Sequence, residues 1–194
     1  MRIQDLTAAS GRPYLLIAEV KTVSPFGWRS DRTWDELFAL AARTGDVISV
    51  HTDPRWGGSI ELVAKARALT AKPILAKGIH ASDDEVRAAL AAGADFALVV
   101  GRLPAADLLP RCLVEPNTVA ELAQLPPGTA AVWNSRDLRN GGLKAETFAT
   151  ARAAWGGWLC QASNLEAPRD VETSASAVLV GTALPAFARK LGFD

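Results

Sequence analysis

The chain has 194 residues, 49% of them hydrophobic and 22% charged, with 21 basic residues against 21 acidic ones and a formal net charge of zero. That length supports one domain with a substantial core, or at most two small ones. The charge balance argues against an electrostatic nucleic-acid binder, and no apolar run is long enough to span a membrane.

The opening residues, MRIQDLTAASGRP, lack the apolar core of a signal peptide, so a cytoplasmic protein is expected. Two His and two Cys without close spacing give no zinc motif, although scattered carboxylates leave a metal site open. Cys112 and Cys160 sit inside apolar runs and read as buried, reduced thiols.

In chain order, short apolar runs alternate with helical patterns. The run 15–21 reads as a strand ending on Glu19 and Lys21, which share one side because residues two apart in a strand face the same way. A helical stripe follows over 32–44 (Trp34, Leu37, Phe38, Ala41), then a strand at 47–51 that leads into His51, Thr52 and Asp53. A helix over 60–70 precedes the strand 73–77, which ends on Lys77. Ser82-Asp-Asp-Glu85 is a capping-box pattern opening a helix that stops before Gly93. The strand 95–100 follows. The crossing 103–110 is broken by Pro104 and Pro110 and is expected to be short. The strand 112–115 ends on Glu115. A helix over 117–124 and a turn at Pro126-Pro127-Gly128 lead to the strand 130–134, ending on Asn134. A helix over 144–155, a strand at 157–162, a second short crossing at 166–175, a strand at 177–181 and a helix over 183–191 complete the chain.

Eight apolar strands in strict alternation with crossings predict a single (β/α)8 TIM barrel over 1–194. It is compact, with shortened fourth and seventh helices at 103–110 and 166–175 and no long N-terminal extension. An open doubly wound sheet is the alternative. That fold normally carries a glycine fingerprint after its first strand, and KTVSPFGW is not one.

Polarity is one-sided. Glu19, Lys21, Lys77, Glu115 and Asn134 all fall at the C-terminal ends of strands, where a barrel of this kind places its active site. Two lysines and two glutamates in one crevice shift each other's pKa and supply candidate acids and bases. An ion-pair network closing the barrel top is the structural alternative, and buried ion pairs are a poor route to stability. The loops after the seventh and eighth strands, 162–164 and 181–184, suit phosphate binding through backbone N–H groups, with Gly181 allowing close approach and Thr182 offering a hydroxyl.

The motif E-x-K-x-x-S-P at Glu19–Pro25 resembles that of indole-3-glycerol phosphate synthases. The likeness continues through T-D-P-R-W-G-G-S (52–59), P-I-L-A-K (73–77), A-A-G-A-D (91–95), L-V-E (113–115), N-S-R-D-L (134–138) and L-V-G-T-A-L (179–184). The resemblance implies a (β/α)8 barrel acting without cofactor or metal on a phosphorylated small molecule, a carboxyphenylamino-deoxyribulose phosphate. The reaction would be ring closure with decarboxylation and dehydration. It implies no nucleic-acid or membrane partner, and a monomer or weak homo-oligomer. Lys77 then matches the general acid, Glu115 the acid/base of dehydration, Glu19 the carboxylate near the developing positive charge, and Asn134 their support. Lys21, Ser24, Arg136, Ser163, Asn164, Gly181 and Thr182 make up the substrate-binding set.

The sequence also departs from the family pattern. Where the family has A-E-S-G-I in its seventh strand, this chain reads Gln161-Ala162-Ser163-Asn164-Leu165, so the glutamate position is Ala162 and Gln161 faces the other side. Gly78-Ile79 follows Lys77 where the family has Asp-Phe. Trp28 and Trp56, both in loops on the catalytic side, are candidates for an aromatic wall. Two further readings stay open: a diverged lyase or cyclase on a related phosphorylated or carboxylated substrate, and a non-catalytic ligand-binding barrel.

Overall fold

A computed structural model describes residues 1–7 and 10–193. Eight parallel strands close on themselves in sequence order: β1 (Leu15–Val20), β2 (Val47–His51), β3 (Ile74–Lys77), β4 (Phe96–Val100), β5 (Cys112–Glu115), β6 (Ala130–Asn134), β7 (Leu159–Ala162) and β8 (Ala177–Val180). β1 pairs with β2 on one side and β8 on the other, so the predicted barrel is the observed fold and the open sheet is not.

The two-residue period sorts each strand into an inner and an outer set. Leu15, Ile17, Val47, Leu75, Phe96, Leu98, Leu113, Val132, Cys160 and Leu179 pack together in the barrel interior. Leu16, Ala18, Ile48, Val50, Ile74 and Ala76 face outward against the helices, where Leu37, Phe38, Val63 and Phe187 cover them. Carried to the C-terminal end, the same parity turns Glu19, His51, Lys77, Glu115, Asn134 and Ala162 inward. The apolar filling below keeps water out of the base of that polar layer.

The described residues hold seven helices: α1 (Ile3–Thr7), α2 (Trp34–Thr44), α3 (Ile60–Leu69), α4 (Asp83–Ala91), α5 (Val119–Ala123), α6 (Phe148–Ala154) and α7 (Leu184–Lys190). Helix α1 has no counterpart in the sequence reading. Its Ile3 is buried with the lower interior residues, and Trp158 Nε1 donates to Thr7 Oγ1 at 2.8 Å, so α1 closes the end opposite the polar layer. At α4 the capping pattern is only half as expected. The Glu85 amide donates to Ser82 Oγ at 3.3 Å, but the Glu85 carboxylate accepts from Ala81, one residue before the cap.

The crossings after β4 and β7 are cut to single 3-10 turns, Leu109–Arg111 and Pro168–Asp170, with no α-helix. Pro110 and Pro168 lie in the first turns of these pieces, where a missing N–H is tolerated, and they keep either one from extending toward its N-terminus. Helix α6 begins at Phe148 rather than at 144, because Lys144 is held in the preceding loop by a bond from its amide to Ser135 O at 2.8 Å.

Candidate active site

The polar layer is organised by three adjacent groups. Lys77 Nζ donates to Glu19 Oε1 at 3.1 Å, and His51 Nε2 bonds the same oxygen. Glu19 and His51 are buried and Lys77 nearly so. Across the mouth, Asn134 Nδ2 donates to Glu115 Oε1 at 2.9 Å. The Asn134 carbonyl oxygen accepts from Ser163 Oγ at 2.7 Å and from the Arg136 amide at 3.0 Å, linking β5, β6 and the loop after β7.

The two glutamates shift in opposite directions. Burial alone would raise the Glu19 pKa, but the Lys77 ammonium and His51 outweigh it and hold the carboxyl well below its ordinary value. Burial raises the Glu115 pKa, and neither Lys77 nor the Asn134 bond cancels that effect. One carboxylate is therefore kept ionised and one is pushed toward its neutral acid. Such divergence between neighbouring groups is how a site assigns separate acid and base roles. Burial also lowers the pKa of His51, with Lys77 and Lys21 reinforcing it against Glu19.

A crevice of ≈ 160 Å³ opens beside this layer, lined by Glu19, Lys21, Lys77, Arg136, Ser163 and Thr182 among others. Asn134, Asn164 and Gly181 also border it. Burial lowers the pKa of Lys21, whose Nζ lies 5.7 Å from the Trp28 ring centroid. Ser163 and Asn164 both have positive φ, 70° and 54°. Asn tolerates that region best among non-glycine residues, so Asn164 keeps the turn a glycine would make. A second, smaller lobe of ≈ 30 Å³ lies on the other side of Lys77, among Ile79, Leu98, Val100, Glu115, Leu138 and Trp56.

Ten of the eleven residues singled out in the sequence border these spaces. The exception is Ser24, whose hydroxyl accepts from the Phe26 amide at 3.3 Å within its own turn and borders neither lobe. The segment after Lys21 folds into a local turn, with the Ser24 amide donating to Trp28 O at 2.8 Å, and matching the pattern does not carry the hydroxyl to the crevice. Gly181 has a more specific role than backbone approach: a Cβ there would fall 2.0 Å from Glu19 Oε2. Trp56 borders both lobes, whereas Trp28 walls a neighbouring groove with Lys21 and Thr182. Gln161 faces outward as expected, its side chain bonding Asp170 O at 3.1 Å and the Glu172 amide at 2.9 Å.

His51 is visible in the sequence at the end of its strand, but no role is assigned to it there. The available signal was parity, since His51 lies four residues from inward-facing Val47. Among the described residues no group of three His, Cys, Asp or Glu side chains is placed to hold a metal ion, and no helix is long and apolar enough to cross a membrane.

The sequence profile of the family described as indole-3-glycerol phosphate synthase matches residues 2–188. The chain belongs to the indole-3-glycerol phosphate synthase family. Curated members include the indole-3-glycerol phosphate synthase of Campylobacter curvus (strain 525.92), 32% identical over 102 residues, and that of Campylobacter concisus (strain 13826), 30% identical over 100. Each alignment covers 50% of this chain, but only 39% and 38% of those synthases, so the match spans well under half of their length. Among solved structures, a 3-hexulose-6-phosphate synthase superposes with a TM-score of 0.67. The superposition covers 91% of this chain and 97% of that one at 16% identity, a likeness of fold alone.

Proposed function

We propose that this member of the indole-3-glycerol phosphate synthase family is a lyase of that type. It would close the indole ring of a carboxyphenylamino-deoxyribulose phosphate, with loss of carbon dioxide and water and without a cofactor. The observation that carries the reading is the Lys77 ammonium set between an ionised Glu19 and a Glu115 biased toward its acid form.

As the ring carbon attacks the substrate carbonyl, Lys77 protonates the carbonyl oxygen to a hydroxyl, which departs only in the later dehydration, and Glu19 offsets the positive charge that develops at the ring nitrogen. Decarboxylation returns electrons to the ring. Dehydration then uses Glu115 and Lys77 as the acid and base pair, with Asn134 orienting the Glu115 carboxyl. Lys21, Arg136, Ser163, Gly181 and Thr182 receive the phosphate, and the surplus of cations there matches an anionic substrate.

A second reading, a different phosphorylated or carboxylated substrate, is favoured by two features. Ala162 stands where the family has a carboxylate, and the lobe of ≈ 30 Å³ is far smaller than the cavity of about 150 Å³ that holds a benzene ring in a protein interior. Mixing the protein with carboxyphenylamino-deoxyribulose phosphate and following indole fluorescence separates the two. A signal abolished by Lys77→Met supports the first reading. Silence from folded protein moves the assignment to the second.

A further inference from the structure

His51 stands outside the roles given above, yet the residue is held from three sides. Trp56 lies flat against it, with centroids 5.8 Å apart and planes 2° from parallel. Gly58 packs on its main chain so closely that a Cβ there would fall 2.4 Å from the His51 carbonyl carbon. Its Nε2 bonds Glu19 Oε1, the oxygen that Lys77 also holds. The other ring nitrogen, Nδ1, is buried with no hydrogen-bond partner among the described residues. A proton on Nδ1 would be a buried N–H without an acceptor, so the surroundings favour the neutral ring with its proton on Nε2, donated to Glu19.

Two donors on Oε1 fix one end of the Glu19 carboxylate. The other oxygen, Oε2, accepts no hydrogen bond among the described residues and lies in the space left by the missing side chain of Gly181. Glu19 and Gly181 both line the crevice. We propose that His51 and Gly181 are positioning residues for Glu19, holding Oε1 toward Lys77 and leaving Oε2 turned into the crevice as a free acceptor for substrate. The catalytic consequence rests on the function proposed above; the positioning itself does not.

The titratable groups acting on Glu19 are Lys21 from its own segment, His51 from β2, Lys77 from β3 and Glu115 from β5. The chain contains only two histidines, so nitrogen-labelled imidazole NMR gives two spin systems, and His80→Gln identifies the other. The expected result is a neutral His51 with a downfield Nε2 proton that shifts in both Glu19→Gln and Gly181→Ala. A proton on Nδ1, or a His51 signal indifferent to Glu19→Gln, overturns the proposal.

Carboxyl-carbon NMR of Glu19 supplies a second reading. His51→Leu should raise its ionisation midpoint by about one pH unit or more, as loss of a donor to the charged form does, while His51→Gln, which keeps an N–H donor, should restore it. An unchanged midpoint in His51→Leu also overturns the proposal. If the wild-type protein turns the arylamine substrate over, His51→Leu should lower kcat at least about tenfold with KM within about threefold, and His51→Gln should recover most of the loss. A change in KM alone refutes catalytic positioning. If the wild-type protein makes no indole, the functional reading fails, and the two NMR measurements still decide whether His51 and Gly181 position Glu19.

Discussion

Replacing Lys77 by Met keeps most of the side-chain volume and removes the ammonium. Among the described residues Glu19 is then left with His51 as its one close donor, in a place where its side chain is 4% exposed. Breaking a buried pair by deleting one partner costs about 3–5 kcal/mol. The lower end applies here, because His51 still donates to the carboxylate and Lys77 itself, at 15% exposure, reaches the crevice. With an unfolding entropy of about 2.1 cal/mol/K per residue, a chain of this length changes by about 0.4 kcal/mol per degree, so about 3 kcal/mol lowers Tm by about 7 °C. The variant should still melt cooperatively, since the apolar interior below is untouched.

The loss also depends on pH in a fixed direction. The Glu19 pKa is depressed in the folded protein, so the stability its pairing contributes is present above the unfolded value and disappears as pH falls through the folded one. The gap between wild type and Lys77→Met should therefore close in acid. Adding Glu19→Gln should return part of the loss, because the orphaned charge is removed. Calorimetry or circular-dichroism melting at several pH values measures all three effects. A Tm within about a degree of wild type at neutral pH would refute the argument that the pair is energetically coupled. Full turnover by the variant would refute the general-acid role, for which a drop of about 10²–10⁴ in kcat is expected.

Glu115→Gln should have the opposite pH signature. The folded pKa of Glu115 is raised, so its contribution is full below the unfolded value and lost as pH rises through the folded one. The variant should melt above wild type near pH 8 and match it near pH 4; a higher melting point at pH 4 alone contradicts the assignment. Cys112 and Cys160 are both buried, and burial pushes the Cys112 thiol up to about 11 and the Cys160 thiol higher still. Neither should react with a disulfide reagent near pH 8 until denaturant is added, and a fast-reacting native thiol would contradict the packing. Gln161→Ala removes both side-chain bonds to the 166–175 crossing and should lower stability by about 1–3 kcal/mol, read by urea unfolding. A change below about 0.3 kcal/mol would mean that the crossing is held by its other contacts.

The barrel was legible because each strand is a short apolar run bounded by turn or helix signals, and eight in alternation with crossings leave few arrangements. The polar ends at Glu19, Lys77, Glu115 and Asn134 were equally visible, since strand parity alone turns them inward. Motif matching was less reliable one turn further out: Ser24 belongs to the same pattern as Glu19 and Lys21, yet its hydroxyl is spent inside its own loop. The crossings at 103–110 and 166–175 were short in sequence, but the absence of any α-helix there emerged only with the proline-led 3-10 turns in place.

Closure of the barrel decided the rest. His51 ends a strand as Glu19 does, and nothing local marks it as a partner of that carboxylate; the pairing of β1 with β2 brings the two together. Gly181 reads as a loop residue until β8 lies beside β1 and its missing side chain becomes room for the Glu19 carboxylate. Glu19 and Glu115 are the same residue type at equivalent strand ends. One is held ionised and the other biased toward its acid, because Lys77 and His51 both bond the first while, among the described residues, Asn134 alone bonds the second. The sequence determined which side chains reach the mouth of the barrel through the two-residue period of its strands. The charge each one carries depends on neighbours from other strands, and only the folded chain brings those within a few ångströms.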